Sequence, residues 1–181
     1  MPPISDSSPF ANLLVAQIRN EFTAHQQYVA AAAWYDDQDL PRLAAHFYRQ
    51  AIEERNHAMM MVRYLLDRDL PAPIPGIDAV RNDFKAPIDG LEMALAQERQ
   101  VTEQVEALFR AARDENDVLG EQFMLWFLKE QVEEVASMAT LVAIAERAGD
   151  DWFRIEEHLA RESVGDAGID PGAPEAAGGT L

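Results

Sequence analysis

Apolar residues recur every three to four positions through four long segments of this chain, and the apolar stripe of each segment contains a carboxylate. These carboxylates are Glu21, Glu54, Glu98 and Glu134. A buried carboxylate without a partner costs several kcal/mol, unless its pKa rises until the group is neutral. Because all four helices carry such a group, a shared multivalent cation is the simplest partner. The pattern therefore predicts a metal-binding four-helix bundle.

Residues that begin and end helices bound these segments. Ser8 and Asp39 are expected N-caps, and Gly149 is an expected C-cap. No segment alternates in the manner of a β-strand. We predict four long helices and a short fifth one. The second helix is expected to follow the Asp39 cap, with Pro41 in its first turn, and to end near Asp67. The other helices are expected at about Pro9–Asp36, Ile88–Glu115, Val118–Ala148 and Asp151–Glu162.

The lengths of the connections predict the topology. Turns of a few residues make the first and second helices antiparallel, and likewise the third and fourth. The connector over residues 68–87 contains four prolines, and its roughly 20 residues can span about 60 Å when extended. A helix of this size is only about 42 Å long. The expected fold is therefore an all-α four-helix bundle with one long crossover connection and a short fifth helix.

The composition excludes several classes of protein. The 181 residues contain no cysteine, which excludes disulfide frameworks, thiolate metal sites and cysteine nucleophiles. The net charge of -17 argues against nucleic acid as a partner and favours attraction of cations. Neither a signal peptide nor an apolar run long enough to span a membrane is present. We therefore expect a cytoplasmic protein with no membrane partner.

Glu54 and His57 are the centre of the predicted metal site. Three residues separate them, so they project from one side of the second helix and can bind the same cation. Sites rich in carboxylates with one or two imidazoles suit iron or manganese. Glu54 is placed to bridge two metals, with Glu21 and His57 completing one site and Glu98 and Glu134 the other. A Glu-x-x-His motif alone is weak evidence, but its combination with this topology and these carboxylates is specific.

The motifs of this site resemble the ferroxidase centre of bacterial non-haem ferritins, of the actinobacterial type. They are Asn20-Glu21-Phe22, Tyr28, Glu53-Glu54-Arg55-Asn56-His57-Ala58, Gln97-Glu98 and Glu130-Gln131-Val132-Glu133-Glu134. The resemblance covers residues 9–163 and implies a ferritin-like fold. It also implies a hollow homo-oligomeric shell of 24 subunits, which oxidises Fe²⁺ with dioxygen or peroxide and stores it as a ferric oxyhydroxide mineral.

The resemblance assigns a role to each matching position. The first iron site is matched by Glu21, Glu54 and His57. The second is matched by Glu54, Glu98 and Glu134, with Gln131 beside it. A nearby third iron site is matched by Glu53, Glu130 and Glu133. Tyr28 matches a tyrosine that forms a hydrogen bond near the centre and donates an electron.

Two departures separate this chain from related families. Haem-containing bacterioferritins carry a second Glu-x-x-His motif on the fourth helix and a haem-binding methionine directly after the glutamate of the second helix. Here the fourth helix offers Gln131 and Glu134, and Arg55 follows Glu54. Rubrerythrins add iron bound by cysteine, which this chain lacks. We therefore expect iron, two ions in each centre, and no haem.

Two other functions remain open for such a bundle. One is a discrete di-iron oxygenase or peroxidase, which would form a small oligomer. The other is a purely structural shell subunit without a catalytic centre. Around the domain at residues 9–163, we expect a short N-terminal extension over 1–8 and a disordered tail over 164–181. The alternative for the tail is a docking peptide for a partner or container.

Overall fold

The computed structural model describes residues 8–161 and 172–180. Within these ranges the chain contains no strand and forms the predicted four-helix bundle with a short fifth helix. The helices are α1 (Pro9–Asp37), α2 (Pro41–Asp67), α3 (Pro87–Asp114), α4 (Val118–Ala148) and α5 (Phe153–Arg161). None of these helices is long and apolar enough to cross a membrane. Of the predicted N-terminal extension, only residue 8 lies within the described residues.

Residues at the helix ends explain where α1 begins and where α4 begins and ends. The Ser8 hydroxyl accepts a hydrogen bond from the backbone N–H of Ala11 at 2.9 Å, at the start of α1. The Asp117 carboxylate accepts one from Gly120 at 3.1 Å, at the start of α4. Gly149 follows α4 with a φ of 58°, a left-handed conformation that favours glycine. Ser8 and Gly149 cap helices as predicted, whereas the cap by Asp117 was not predicted.

The start of α2 differs from the sequence-based prediction. Asp39 does not cap this helix: it adopts a left-handed φ of 57°, and Leu40 takes the N-cap position without a side-chain hydrogen bond. Glu156 of α5 supplies the acceptors instead. Its two carboxylate oxygens accept hydrogen bonds from the backbone N–H groups of Arg42 and Leu43, each at 2.9 Å. Glu156, more than a hundred positions away in the sequence, therefore accepts the hydrogen bonds of the free N–H groups in the first turn of α2.

The crossover between α2 and α3 runs along the side of α1. The backbone N–H of Asp78 donates to the Thr23 hydroxyl at 3.2 Å. One turn further along α1, the side-chain amide of Gln27 both donates to the carbonyl and accepts from the N–H of Arg81, each at 2.8 Å. The crossover therefore follows α1 in the direction of its own chain.

Contacts at the two ends of the bundle complete the topology. The rings of Phe10 and Tyr64 lie 6.1 Å apart, so α2 ends beside the start of α1. At the opposite end, the Tyr35 hydroxyl donates to the carbonyl of Pro87 at 2.6 Å, so α3 starts beside the end of α1. The Glu115 carboxylate, just after α3, accepts from the N–H of Phe10 at 2.6 Å. Helices α2 and α3 are therefore parallel, as the crossover length predicted.

Two separate apolar clusters form the core of the bundle. One lies around Tyr28, Phe47 and Leu91, and the other around Leu14, Met61 and Leu108. Between them lies a layer of buried polar side chains, namely Gln17, Glu21, Glu54, His57, Glu98, Gln131 and Glu134. A polar layer in the middle of an apolar core is costly, so its groups need partners.

The end of the tail differs from the predicted disorder. Residues 172–180 lie against the bundle, where the N–H of Ala177 donates to the carbonyl of Met59 in α2 at 3.0 Å. Ala173 and Ala176 pack with Ala177 against the apolar cluster around Met61. Small side chains bury little area each, which is why the composition alone favoured disorder. Residues 164–171 and 181 lie outside the described residues, and a docking role for the tail stays a prediction.

Candidate metal centre

Each of the four long helices contributes a buried carboxylate to the polar layer. Glu98 is fully buried, and Glu21, Glu54 and Glu134 are between 1% and 8% exposed. Carboxylates are almost never buried to this extent unless they are paired. The same layer contains His57, which is 5% exposed, and it is bounded on both sides by apolar residues. The helical periodicity places these groups together because each one interrupts an apolar stripe near the middle of its helix.

Glu21, Glu54 and His57 form the tightest group. Each offers one potential ligand atom, and these atoms all lie within 4.8 Å of one another. Nδ1 of His57 is 3.6 Å from Oε2 of Glu54, beyond the distance of a normal hydrogen bond. Oε2 of Glu21 and Oε2 of Glu54 are buried and form no hydrogen bond. Two orphaned carboxylate oxygens beside an imidazole nitrogen are the donor set that a divalent cation would satisfy.

Glu98 lies in a second set of contacts, with Tyr28 and Gln131. The Tyr28 hydroxyl donates a short hydrogen bond to Oε1 of Glu98. The amide of Gln131 donates to Oε2 of Glu98 at 3.5 Å, and its oxygen is 3.0 Å from the Thr102 hydroxyl. Thr102 therefore holds the Gln131 amide with its NH₂ group facing the carboxylate. In this arrangement Gln131 is a hydrogen-bond donor to Glu98.

Burial and mutual repulsion raise the pKa values of these carboxyl groups. Burial, followed by the charges of Glu98 and Glu21, raises the pKa of Glu54 well above its ordinary value. Burial, followed by the charge of Glu98, does the same for Glu134. Burial raises the pKa of Glu98 to about 7, although the hydrogen bond from Tyr28 opposes the change. Burial and mutual repulsion therefore favour the protonated forms of these groups when no metal is bound, and a bound cation would replace those protons.

The pKa of the His57 imidazole is shifted in the opposite direction, downwards. Burial lowers its pKa, so the ring is neutral at pH 7 and keeps a lone pair for a metal. The rings of Trp126 and Phe127 contact it edge-on, each with a centroid distance of 5.6 Å. These aromatic contacts fix the plane of the imidazole and exclude water from one side of the site.

The three residues predicted to form a third site do not share one environment. Glu53 and Glu130 are partly buried, and their charges contribute to the raised pKa of Glu134. Gln50 donates a short hydrogen bond to Glu53 and also interacts with Glu134. Glu133 is exposed and lies 3.7 Å from the ammonium group of Lys129. Glu53 and Glu130 therefore extend the buried negative charge towards the surface of α2 and α4, whereas Glu133 faces solvent.

Residues that hold the carboxylates in place were not recognised from the sequence. The amide of Gln17 donates to Oε1 of Glu21 at 2.9 Å. Gln50 does the same for Glu53, and Thr102 orients Gln131. Their spacing in the sequence could have predicted this role, because each lies four residues from one of the buried carboxylates. Gln17 precedes Glu21, Gln50 precedes Glu54, and Thr102 follows Glu98. A polar residue one helical turn from a buried carboxylate is positioned to bond with that carboxylate or its neighbours.

Comparisons with known proteins agree with this architecture. A family model described as a ferritin-like domain matches residues 11–148. The chain is 63% identical over 172 residues to "Ferritin BfrB" of Mycolicibacterium smegmatis, covering 95% of this chain and 94% of the relative. It is 36% identical over 143 residues to the "Bacterial non-heme ferritin" of Staphylococcus aureus strain MRSA252, covering 77% and 86%. A solved open pore ferritin from Archaeoglobus fulgidus superposes with a TM-score of 0.82 at 25% identity, covering 87% and 99%.

Proposed function

Because this chain belongs to the ferritin family, we propose that it is an iron-storage protein with its own ferroxidase centre. In this proposal Fe²⁺ is the substrate, and two ions bind around Glu54 in each subunit. Dioxygen or peroxide accepts their electrons, and the Fe³⁺ is stored as ferric oxyhydroxide inside a hollow cytoplasmic shell of 24 copies. The relatives named as ferritins support storage in a shell. The buried carboxylate layer supports the ferroxidase activity.

The orphaned oxygens of Glu21 and Glu54 beside His57 carry the proposal. Together they provide two oxygen donors and one nitrogen donor for the first Fe²⁺. In this proposal Glu98 and Glu134 supply oxygen donors for the second ion, and Glu54, whose pKa responds to the charges of Glu21, Glu98 and Glu134, serves both ions. This set is rich in hard oxygen ligands, as expected for an iron centre. The apolar surroundings have a low dielectric constant, which strengthens the attraction between the carboxylates and Fe²⁺.

The reaction balances with peroxide as the oxidant. Two Fe²⁺ ions each lose one electron, and one peroxide molecule takes up both electrons and two protons to give two water molecules. The carboxyl groups of Glu54, Glu98 and Glu134 release protons when Fe²⁺ binds. Hydrolysis of Fe³⁺ to the oxyhydroxide releases further protons at the mineral. The chain's own contribution is to hold two ions at a fixed separation and to move protons away from the ligands.

Three further roles belong to the same proposal. The Tyr28 hydroxyl donates a hydrogen bond to Glu98, which orients that carboxylate and holds the phenol close enough to give an electron to the centre. Gln131 acts through its hydrogen bond to Glu98. Glu53 and Glu130, with Glu133 on the exposed face, hold or pass on iron at a third site, because their negative charge lies next to Glu134.

Stopped-flow oxidation of Fe²⁺ tests the proposal. We expect Glu54→Ala combined with His57→Ala to abolish the fast phase of oxidation, because the shared ligand and the nitrogen donor are both lost. Asp67→Ala is the matched control, since Asp67 is an exposed carboxylate on the same helix. Size-exclusion chromatography should show a large shell for all variants. A fast phase that is undiminished in the double variant would exclude the ferroxidase assignment, and a small oligomer would instead favour a discrete di-iron oxygenase or peroxidase.

A further inference from the structure

Two hydrogen bonds between side chains of α1 form a chain that ends on Glu21. The side-chain amide of Asn20 donates to Oε1 of Gln17 at 3.1 Å. The amide of Gln17 in turn donates to Oε1 of Glu21 at 2.9 Å. Gln17 is only 2% exposed, whereas Asn20 is partly exposed. The chain therefore connects a proposed iron ligand to a residue that reaches the surface.

Asn20 sets the direction of this chain. An amide has an acceptor oxygen on one side and a donor NH₂ group on the other. Because Asn20 donates to the oxygen of Gln17, the NH₂ group of Gln17 is the end that faces Glu21. The reverse orientation of Gln17 would place an amide oxygen against a carboxylate oxygen, and two acceptors repel each other. Asn20 therefore favours the orientation in which Glu21 receives a hydrogen bond.

The hydrogen bond from Gln17 leaves the two oxygens of Glu21 in different environments. Oε1 accepts that bond, whereas Oε2 is buried and has no hydrogen-bond partner among the residues that the structure describes. Turning the carboxylate so that both oxygens face one cation would break the bond and leave a buried N–H of Gln17 unsatisfied, which is costly. The arrangement therefore favours a carboxylate that offers one oxygen, Oε2, to a cation.

Helix stability does not account for the amide of Gln17. A hydrogen bond between side chains one turn apart adds only a little to the stability of a helix, and it can do so on the exposed face. Gln17 instead lies in the core, beside Ile18 in the sequence and one turn from Leu14, and both of these are fully buried. Burying an amide there costs free energy that an apolar side chain would not. A role in orienting Glu21 explains why an amide occupies this position.

We propose that Gln17 and Asn20 are positioning residues that make Glu21 a one-oxygen ligand of the first Fe²⁺, and thereby keep a coordination position of this ion open for the oxidant. This inference rests on the proposed ferroxidase function. Glu21, Glu54 and His57 then supply three donor atoms, and water fills the other positions until dioxygen or peroxide displaces it. A second oxygen from Glu21 would occupy one of these positions, so Fe²⁺ would bind at least as tightly but react more slowly.

Gln17→Leu tests the bond to Glu21, because leucine fills a similar apolar space but donates no hydrogen bond. We expect the fast phase of Fe²⁺ oxidation to slow by about tenfold, as is usual when a residue that orients a metal ligand is lost. The affinity of the centre for Fe²⁺, measured by isothermal titration calorimetry without oxygen, should be unchanged or higher. A purely structural role for Gln17 would weaken Fe²⁺ binding together with its oxidation, and that result would overturn the inference.

Two variants of Asn20 test whether the direction of the chain matters in the assembled protein. Asn20→Asp replaces a donor with an acceptor, so the NH₂ group of Gln17 turns towards the new carboxylate and away from Glu21. We expect Fe²⁺ oxidation to slow about as much as in Gln17→Leu. Asn20→Gln keeps an NH₂ donor and should recover most of the wild-type rate. Equal rates in these two Asn20 variants would contradict the proposed orientation.

Gln26→Glu is the matched control for the charge that Asn20→Asp adds. Gln26 is exposed on the same helix, and its side chain has no part in the chain of hydrogen bonds that ends on Glu21. Gln26→Glu should therefore oxidise Fe²⁺ at the wild-type rate. A loss of rate equal to that of Asn20→Asp would show that added charge, and not the orientation of Gln17, slows the reaction.

Crystal structures of protein loaded with Fe²⁺ in the absence of oxygen reveal how Glu21 binds. We expect one oxygen of Glu21 on the iron in the wild type, and two in Gln17→Leu and Asn20→Asp. Two oxygens in the wild type, or one in Gln17→Leu, would overturn the inference and leave the ferroxidase proposal intact. Wild-type protein with no iron beside Glu21 and His57 would overturn the ferroxidase proposal itself.

Discussion

Glu98 illustrates how burial prepares a side chain to bind a cation. It has no exposed surface, and it accepts hydrogen bonds from both Tyr28 and Gln131. Those bonds offset part of the cost of burying a charge, yet its pKa still rises to about 7. A bound cation would supply the remaining compensation. In the metal-free protein the same carboxylate is a source of instability at alkaline pH.

We predict that Glu98→Gln reduces the pH dependence of stability in metal-free protein. Because the native pKa lies above that of the unfolded chain, the stabilising contribution is complete below about pH 4.5 and is lost as pH rises through about 7. The loss for this one group amounts to about 3 kcal/mol at pH 8. Urea unfolding between pH 5 and pH 8, with a chelator present, measures the effect.

Glu106→Gln is the control for this prediction. Glu106 is on the same helix, but its carboxylate is exposed and pairs with Arg110. It should therefore leave the pH dependence of the wild type unchanged. If Glu98→Gln also kept the full wild-type slope between pH 5 and pH 8, the burial of an ionisable Glu98 would not be the cause of that slope.

At the level of the helices, the sequence predicted the positions of all five but not the group that caps the start of α2. Each long helix was placed to within a residue or two at its ends, because apolar periodicity and proline positions are local signals. The cap of α2 was assigned to Asp39 on the same local grounds. The actual acceptor, Glu156, lies on α5. Only the packing of α5 against the bundle brings it to that position, and no local pattern contains this information.

We predict that Glu156→Gln destabilises the protein by about 1 kcal/mol, because the first turn of α2 loses a charged acceptor for two backbone N–H groups. Thermal unfolding measured by circular dichroism reports the change. Glu157→Gln is the matched control, since Glu157 is the next residue on the same helix and forms an exposed pair with Arg161. Equal midpoints for the two variants would show that Glu156 does not act as a cap.

At the scale of the whole molecule, the bundle consists of two apolar clusters separated by one acidic layer. The apolar periodicity and the lengths of the connections were enough to predict that layer, because each buried carboxylate interrupts a regular apolar stripe. The supporting residues Gln17, Gln50 and Thr102 were not predicted, since glutamine and threonine on a helix are ordinary solvent-facing residues unless the tertiary structure buries them. The packing of residues 172–180 was missed for a related reason: contacts between small side chains and a distant helix leave no periodic pattern.

The net charge of the chain affects how strongly the whole protein attracts cations. A value of -17 attracts cations to the protein and raises the local concentration of Fe²⁺ around it. In the proposed function the buried carboxylates then determine where the metal binds, and two iron ions bind in this acidic layer with Glu54 shared between them.

Anomalous X-ray diffraction at the iron edge would locate these ions in crystals loaded with Fe²⁺ without oxygen. We predict two iron peaks in each subunit, one beside Glu21 and His57 and the other beside Glu98 and Glu134. Crystals of the Glu54→Ala variant, treated in the same way, should lose or weaken both. Iron peaks confined to the protein surface, with none inside the layer, would show that the buried carboxylates do not bind iron.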